Sequence, residues 1–116
     1  MQYTDRQGVV VMLNMDDLRK LCTDETITLT QHLLLRMRER GIKYDDMVHA
    51  IVSGEIIEQY PDDYPHPSCL ILGITASSRQ PLHIVCGMGS GRLWVITIYY
   101  PNLEKWESDY KTRKGH

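Results

Sequence analysis

The chain has 116 residues, 42% hydrophobic and 24% charged, with a formal net charge of −2. That length fits one domain with one modest core. The charge excludes a broadly basic nucleic-acid binder, so any nucleic-acid role must rest on a local patch. No apolar run reaches the ~18 residues of a membrane span, and no basic stretch followed by an apolar one forms a leader; the expectation is a cytoplasmic protein with no membrane association. The three cysteines, Cys22, Cys69 and Cys86, form no close pair. They read as reduced thiols. With no CxxC or HExxH motif, neither a metal site nor a cofactor is expected.

Residues 8–13 are a β-branched run, read either as an edge strand or as an extension ahead of a later start at Met12 or Met15. Asn14 is a strong N-cap. Asp16 and Asp17 then occupy a first turn and Arg19 and Lys20 a last one, which predicts a short helix. Residues 23–28 form a polar connection. Thr28 or Thr30 caps the main helix, roughly residues 30–40, with Leu33, Leu34, Met37 and Ile42 as its apolar face and Gly41 as its stop. A third helix starts near Asp45 and Asp46 and ends near Gly54, with Met47, Val48, Ile51 and Val52 at helical spacing.

After Gly54 the period becomes alternating. Ile56, Glu58 and Tyr60 fall on one strand face, and Glu55, Ile57 and Gln59 on the other. Pro61 ends this strand, and residues 62–67 read as a loop. A nearly continuous apolar strand covers 69–75, a turn 77–80, a third strand 82–86, a second turn 87–91 and a fourth strand 93–100. Strict alternation in the last strand groups Leu93, Val95, Thr97 and Tyr99 on one face. Trp94, Ile96, Ile98 and Tyr100 fall on the other, expected under the helices or, where open, as a partner surface. Pro101 and Asn102 start an expected short helix over 103–110. The glycine run 87–91 sits between strands instead of opening a helix, so it makes a hairpin and not a dinucleotide fingerprint. The expected fold class is α+β: N-terminal helices packed on a four-stranded antiparallel meander sheet, with a short C-terminal helix. Residues 1–26 form an extension with a short helix, 27–110 a single domain, and 111–116 a basic tail.

His32, Arg36 and Arg40 are spaced i, i+4, i+8, which lines an imidazole and two guanidiniums along one helix face. A titratable ring beside two fixed cations suits a phosphate. The plainer alternative is a solvated basic face, with Arg36 or Arg40 paired to Glu39 or to loop acids. His83 alternates with Leu82 and Ile84 and so points away from them; it is either a site residue or a hydrogen-bonded residue of the sheet. Arg79 lies in a turn, where exposure is expected. Thr97 and Tyr99 either reach a ligand or make cross-strand contacts.

The chain resembles a bacterial family catalogued as domain of unknown function 4258. The resemblance covers about residues 27–106. It is carried by His32, Arg36 and Arg40-Gly41-Ile42, by 50–60 (AIVSGEIIEQY), 69–73 (CLILG), 79–85 (RQPLHIV) and 95–101 (VITIYYP). Its layout is similar to the small ribonuclease toxins of the RelE, BrnT and MqsR group. That similarity implies a RelE-like fold and a metal-independent RNA endonuclease, the toxin of a toxin–antitoxin pair, with RNA as substrate and a cognate antitoxin as partner. Cleavage of this kind needs a base for the ribose 2′-hydroxyl, an acid for the leaving oxygen and cations for the phosphorane. The residues expected to carry it are His32 or His83 as general base or acid and Arg36 and Arg40 as phosphate ligands, with Arg79, Thr97 and Tyr99 in support. The rival expectation is a non-catalytic interaction module of the same fold, which the mildly acidic charge favours.

Overall fold

The computed structural model describes residues 12–115. Helix α1, Met15–Lys20, is capped by Asn14, whose side chain accepts from the Asp17 N–H. Leu13 and Leu18 are buried in the core. Arg19 donates from Nε to Val52 O and from Nη2 to Gly54 O, tying α1 to the end of the third helix. Residues 8–11 of the expected edge strand lie outside the described residues. Met12 and Leu13 are not in a strand; the Leu13 N–H and C=O are instead held by the Gln59 side chain.

Five strands form one sheet, not four. They are β1 (Ile27–Thr28), β2 (Glu55–Tyr60), β3 (Ser68–Ile74), β4 (Pro81–Gly89) and β5 (Arg92–Tyr99). The sheet order is β1-β5-β4-β3-β2. β2 to β5 form the antiparallel meander, but β1, inside the stretch read as a polar connection, adds parallel to β5. Two residues carry too short a pattern to announce a strand. Ile27 is buried, and the Leu93 N–H closes the edge by donating to Thr26 O. The β4–β5 hairpin turns on Ser90 and Gly91, both at positive φ as a two-residue hairpin requires. Gly87 and Gly89 are therefore strand residues, not turn residues.

Helix α2 is Gln31–Glu39, capped by the Thr30 hydroxyl, and α3 is Tyr44–Ser53. Both pack on one face of the sheet, α2 on β5 and α3 on β3. The core between them holds Leu33, Met37, Ile42, Met47, Ala50, Ile51, Cys69, Ile71, Leu82, Ile84, Cys86, Leu93, Val95 and Ile98. Leu34 and Val52, expected inward, are about half exposed. The approach of α3 to the sheet depends on Gly73: a Cβ there would lie 1.9 Å from Ala50 O.

Two irregularities overturn the strict alternation. The β2–β3 register shifts between Ile56 and Glu58, so Glu55, Glu58 and Tyr60 share the face away from the helices while Ile56 packs on the core. The β4–β5 register shifts at Ile96. Beyond that bulge the parity reverses. Leu93, Val95, Ile98 and Tyr100 turn to the helices, whereas Trp94, Thr97 and Tyr99 share the opposite face and Ile96 is half exposed. The expected C-terminal helix is absent. Asn102 Oδ1 accepts from the Glu104 and Lys105 N–H groups and closes a single turn. Asp109 then accepts from the Lys111 and Thr112 N–H groups, Tyr110 takes a positive φ, and the chain reverses so that Trp106 bridges to Arg113. This strap lies on the sheet face opposite α2 and α3.

Candidate functional site

The expected convergence of His32, Arg36 and Arg40 with His83 does not occur. α2 covers one face of the sheet; His83 opens on the other, opposite Leu72 and Tyr99. Arg36 pairs with Glu39 at 3.0 Å. Arg40 caps the helix end and donates from Nη1 to Ile98 O, fastening α2 to β5. His32 is exposed and lines a broad surface hollow of about 790 Å³ with Leu34, Leu35, Arg38, Ile42 and Tyr44. Arg79 is exposed in the β3–β4 turn at φ 54°. Thr97 is half-buried on β5 opposite Val85. Of the expected residues, the structure brings together His83 and Tyr99 alone.

His83 is fully buried. Its Nε2 lies 2.8 Å from Tyr110 O and its Nδ1 3.2 Å from the Tyr99 hydroxyl. A carbonyl can only accept, so Nε2 carries the proton. In the neutral ring Nδ1 is then an acceptor, and Tyr99 donates to it. The ring meets Trp106 edge-on at 4.5 Å between centroids. Burial lowers the imidazole pKa below its ordinary value, opposed by the Tyr110 carbonyl and the Glu58 charge.

Beside this ring stands a charged group that the sequence did not disclose. Arg113 donates from Nε and Nη2 to the two oxygens of Glu58, at 2.8 and 3.0 Å. The Tyr60 hydroxyl donates a short hydrogen bond to Glu58 Oε1. Arg113 also lies 4.6 Å above the Trp106 ring. The guanidinium holds the Glu58 carboxyl below its usual range, and burial with the Glu58 bond pushes the Tyr60 phenol up to about 12. Burial raises the Tyr99 phenol as well. The face thus presents an ionised carboxylate, a guanidinium with unused N–H donors, two protonated phenols and a neutral imidazole. Glu58 and Arg113 are 55 residues apart, and Arg113 reaches the sheet on a strap whose sequence predicts a helix and a tail. Only Glu58 and Tyr60, two residues apart on one strand face, offered a local signal.

Among the described residues no group of three or more His, Cys, Asp or Glu side chains is placed to hold a metal ion. No described helix is long and apolar enough to cross a membrane. No curated protein and no solved structure matches the chain. The profile of the family described as "Domain of unknown function (DUF4258)" matches residues 29–100, from the cap of α2 to the end of β5, and stops short of the strap. That span is more than half of the chain, and the protein belongs to the DUF4258 family.

Proposed function

We propose that the protein is an RNA endonuclease working without a metal ion, the toxin of a toxin–antitoxin pair with a RelE-like fold, and that its chemistry sits on the strap-covered sheet face instead of on α2. The carrying observation is the Glu58–Arg113 pair, hydrogen-bonded by Tyr60 and adjoining the His83–Tyr99 pair. Glu58 is ionised and takes the proton of a ribose 2′-hydroxyl. The 2′-oxygen attacks phosphorus, forming a 2′,3′-cyclic phosphate as the bond to the 5′-oxygen breaks. The Tyr99 hydroxyl turns from His83 Nδ1 to that oxygen, gives it its proton and is reprotonated from solvent, to which Glu58 returns its own. Arg113 uses two of its five N–H donors on Glu58, leaving three for the phosphorane oxygens. His83, neutral and bonded at both nitrogens, is a positioning residue that holds the Tyr99 oxygen in place before that turn.

The test is cleavage of single-stranded and ribosome-associated RNA in excess chelator by the purified protein and its variants. Glu58→Gln should reduce the rate by ~10²-fold or more. Arg113→Lys should also reduce it, because Lys keeps the charge but loses the fork. Full activity in Glu58→Gln with loss in His32→Ala would return the site to α2.

A second reading has its own observation. Leu34 and Leu35 are about half exposed beside the 790 Å³ hollow on α2, an apolar surface where a protein partner such as a cognate antitoxin would dock whether or not the fold is catalytic. No RNA cleavage in any arm would favour this interaction module.

A further inference from the structure

The glycine run of β4 has a use beyond its strand. On the strap-covered face, at the far end of β4 from His83, Tyr64, Pro65, His66, Gly87, Trp94 and Ile96 enclose a small apolar hollow of about 170 Å³. Trp94 is fixed by its Nε1–H donating to Gly89 O at 3.1 Å. His66 stacks on it, 5.5 Å between centroids and 24° between planes. Gly89 makes this possible. A Cβ on Gly89 would come within 2.0 Å of His66 Nδ1, so only glycine admits the ring. A Cβ on Gly87 would stand 3.4 Å from Pro67 O and 3.6 Å from Ile96 Cδ1, without a clash, and a longer side chain there would grow into the hollow. Tyr64 and Ile96 remain exposed at the rim, so the aromatic lining is open to a ligand.

We propose that this hollow binds one unpaired nucleobase of single-stranded RNA by stacking, a subsite of the Glu58–Arg113 centre. It rests on the RNA reading of that centre. Gly87 lies four positions along β4 from His83, about 13 Å at the strand rise, so a short extended strand spans both. The hollow is closed by rings, aliphatic carbon and a glycine, with no Asp, Glu, Lys or Arg side chain, which suits a flat π-face and leaves phosphates outside. Recognition is therefore tolerant of base identity, because stacking reads every base.

The experiment measures anisotropy of a fluorescein-labelled eight-residue 2′-O-methyl oligonucleotide, which has no 2′-hydroxyl and cannot be cleaved. Trp94→Ala and Gly87→Leu should each weaken binding roughly 10-fold. Trp94→Phe should retain most of it, and an abasic analogue should bind wild type roughly 10-fold more weakly than the intact oligonucleotide. Urea unfolding checks that the variants are folded; if Trp94→Ala is not, Gly87→Leu and the abasic analogue carry the test. Binding by both variants within about twofold of wild type, equal binding of the abasic analogue, or no binding by wild type overturns the inference. Base-dependent binding without cleavage of ordinary RNA sinks the nuclease reading and leaves the subsite standing.

Discussion

His83 shows what a single residue's surroundings decide. Strand parity alone turns it away from Leu82 and Ile84, and that much was legible in the sequence. Its neutrality was not, because it comes from burial under the strap that carries Trp106, 23 positions later. The lowered pKa has a sign that can be measured. Above ~6.5 neither the folded nor the unfolded chain protonates this ring. As pH falls below that value the unfolded chain takes up a proton that the native ring resists, so stability falls by up to ~1.4 kcal/mol per pH unit until the lowered native pKa is reached. Urea titrations from pH 7 to 5 should show this slope in the wild type and a shallower one in His83→Gln. Glu58, lowered by Arg113, adds its own loss only at more acidic pH. Identical slopes in both proteins would mean that His83 titrates normally. Tyr99→Phe should keep the fold and cut RNA cleavage, since it removes the hydroxyl that Nδ1 orients while leaving the ring that packs on His83.

At the scale of elements, the caps and periods carried the helices, and the bulges defeated the strands. Asn14 and Thr30 cap α1 and α2 as their side chains predict. The shift in β2 and the extra residue at Ile96 each invert a face, and no propensity marks either one. Inversion matters here because, with Leu93 and Val95 on the helix side, it turns Tyr99 to the opposite face, beside His83. The clearest element-level device is Asp46, 2% exposed in the first turn of α3. Its Oδ1 accepts from the Ser77 N–H and hydroxyl, and its Oδ2 from the Lys43 N–H. Burial works against its ionisation, but these bonds outweigh it and hold its pKa low. One carboxylate thus locks the start of α3 to the β3–β4 turn. Asp46→Ala should cost about 2–3 kcal/mol, the size expected when charge-assisted bonds are lost and buried donors are left unpaired. A denaturant midpoint unchanged from wild type would show the turn held by other means. Gly73→Ala should fail more severely, since backbone and not a flexible side chain blocks the new methyl.

For the molecule as a whole, the order of helices before an antiparallel meander gave the α+β class and the helices on one face. What covers the other face could not be read, because the strap's fold depends on long-range partners. Trp106 is 3% exposed, Lys111 pairs with Glu55 at 2.6 Å, and Arg113 pairs with Glu58, so the last residues act as a third layer. In a domain this small, total stability is of order 5–15 kcal/mol. Removing a buried tryptophan costs about 3–5 kcal/mol. Trp106→Ala should therefore lower the urea midpoint sharply. It should also wet the His83 ring, so that a ring-proton NMR titration finds its pKa displaced upward toward the ordinary histidine value, because the burial that lowers it is relieved. The two readouts separate packing from electrostatics: a lower midpoint with an unmoved His83 titration would show that Trp106 stabilises the strap without shielding the site. An unchanged midpoint would mean that the strap is not a structural layer. Both shifts together would establish that the segment beyond the family's matched span is what makes the histidine on this face a neutral hydrogen-bond acceptor.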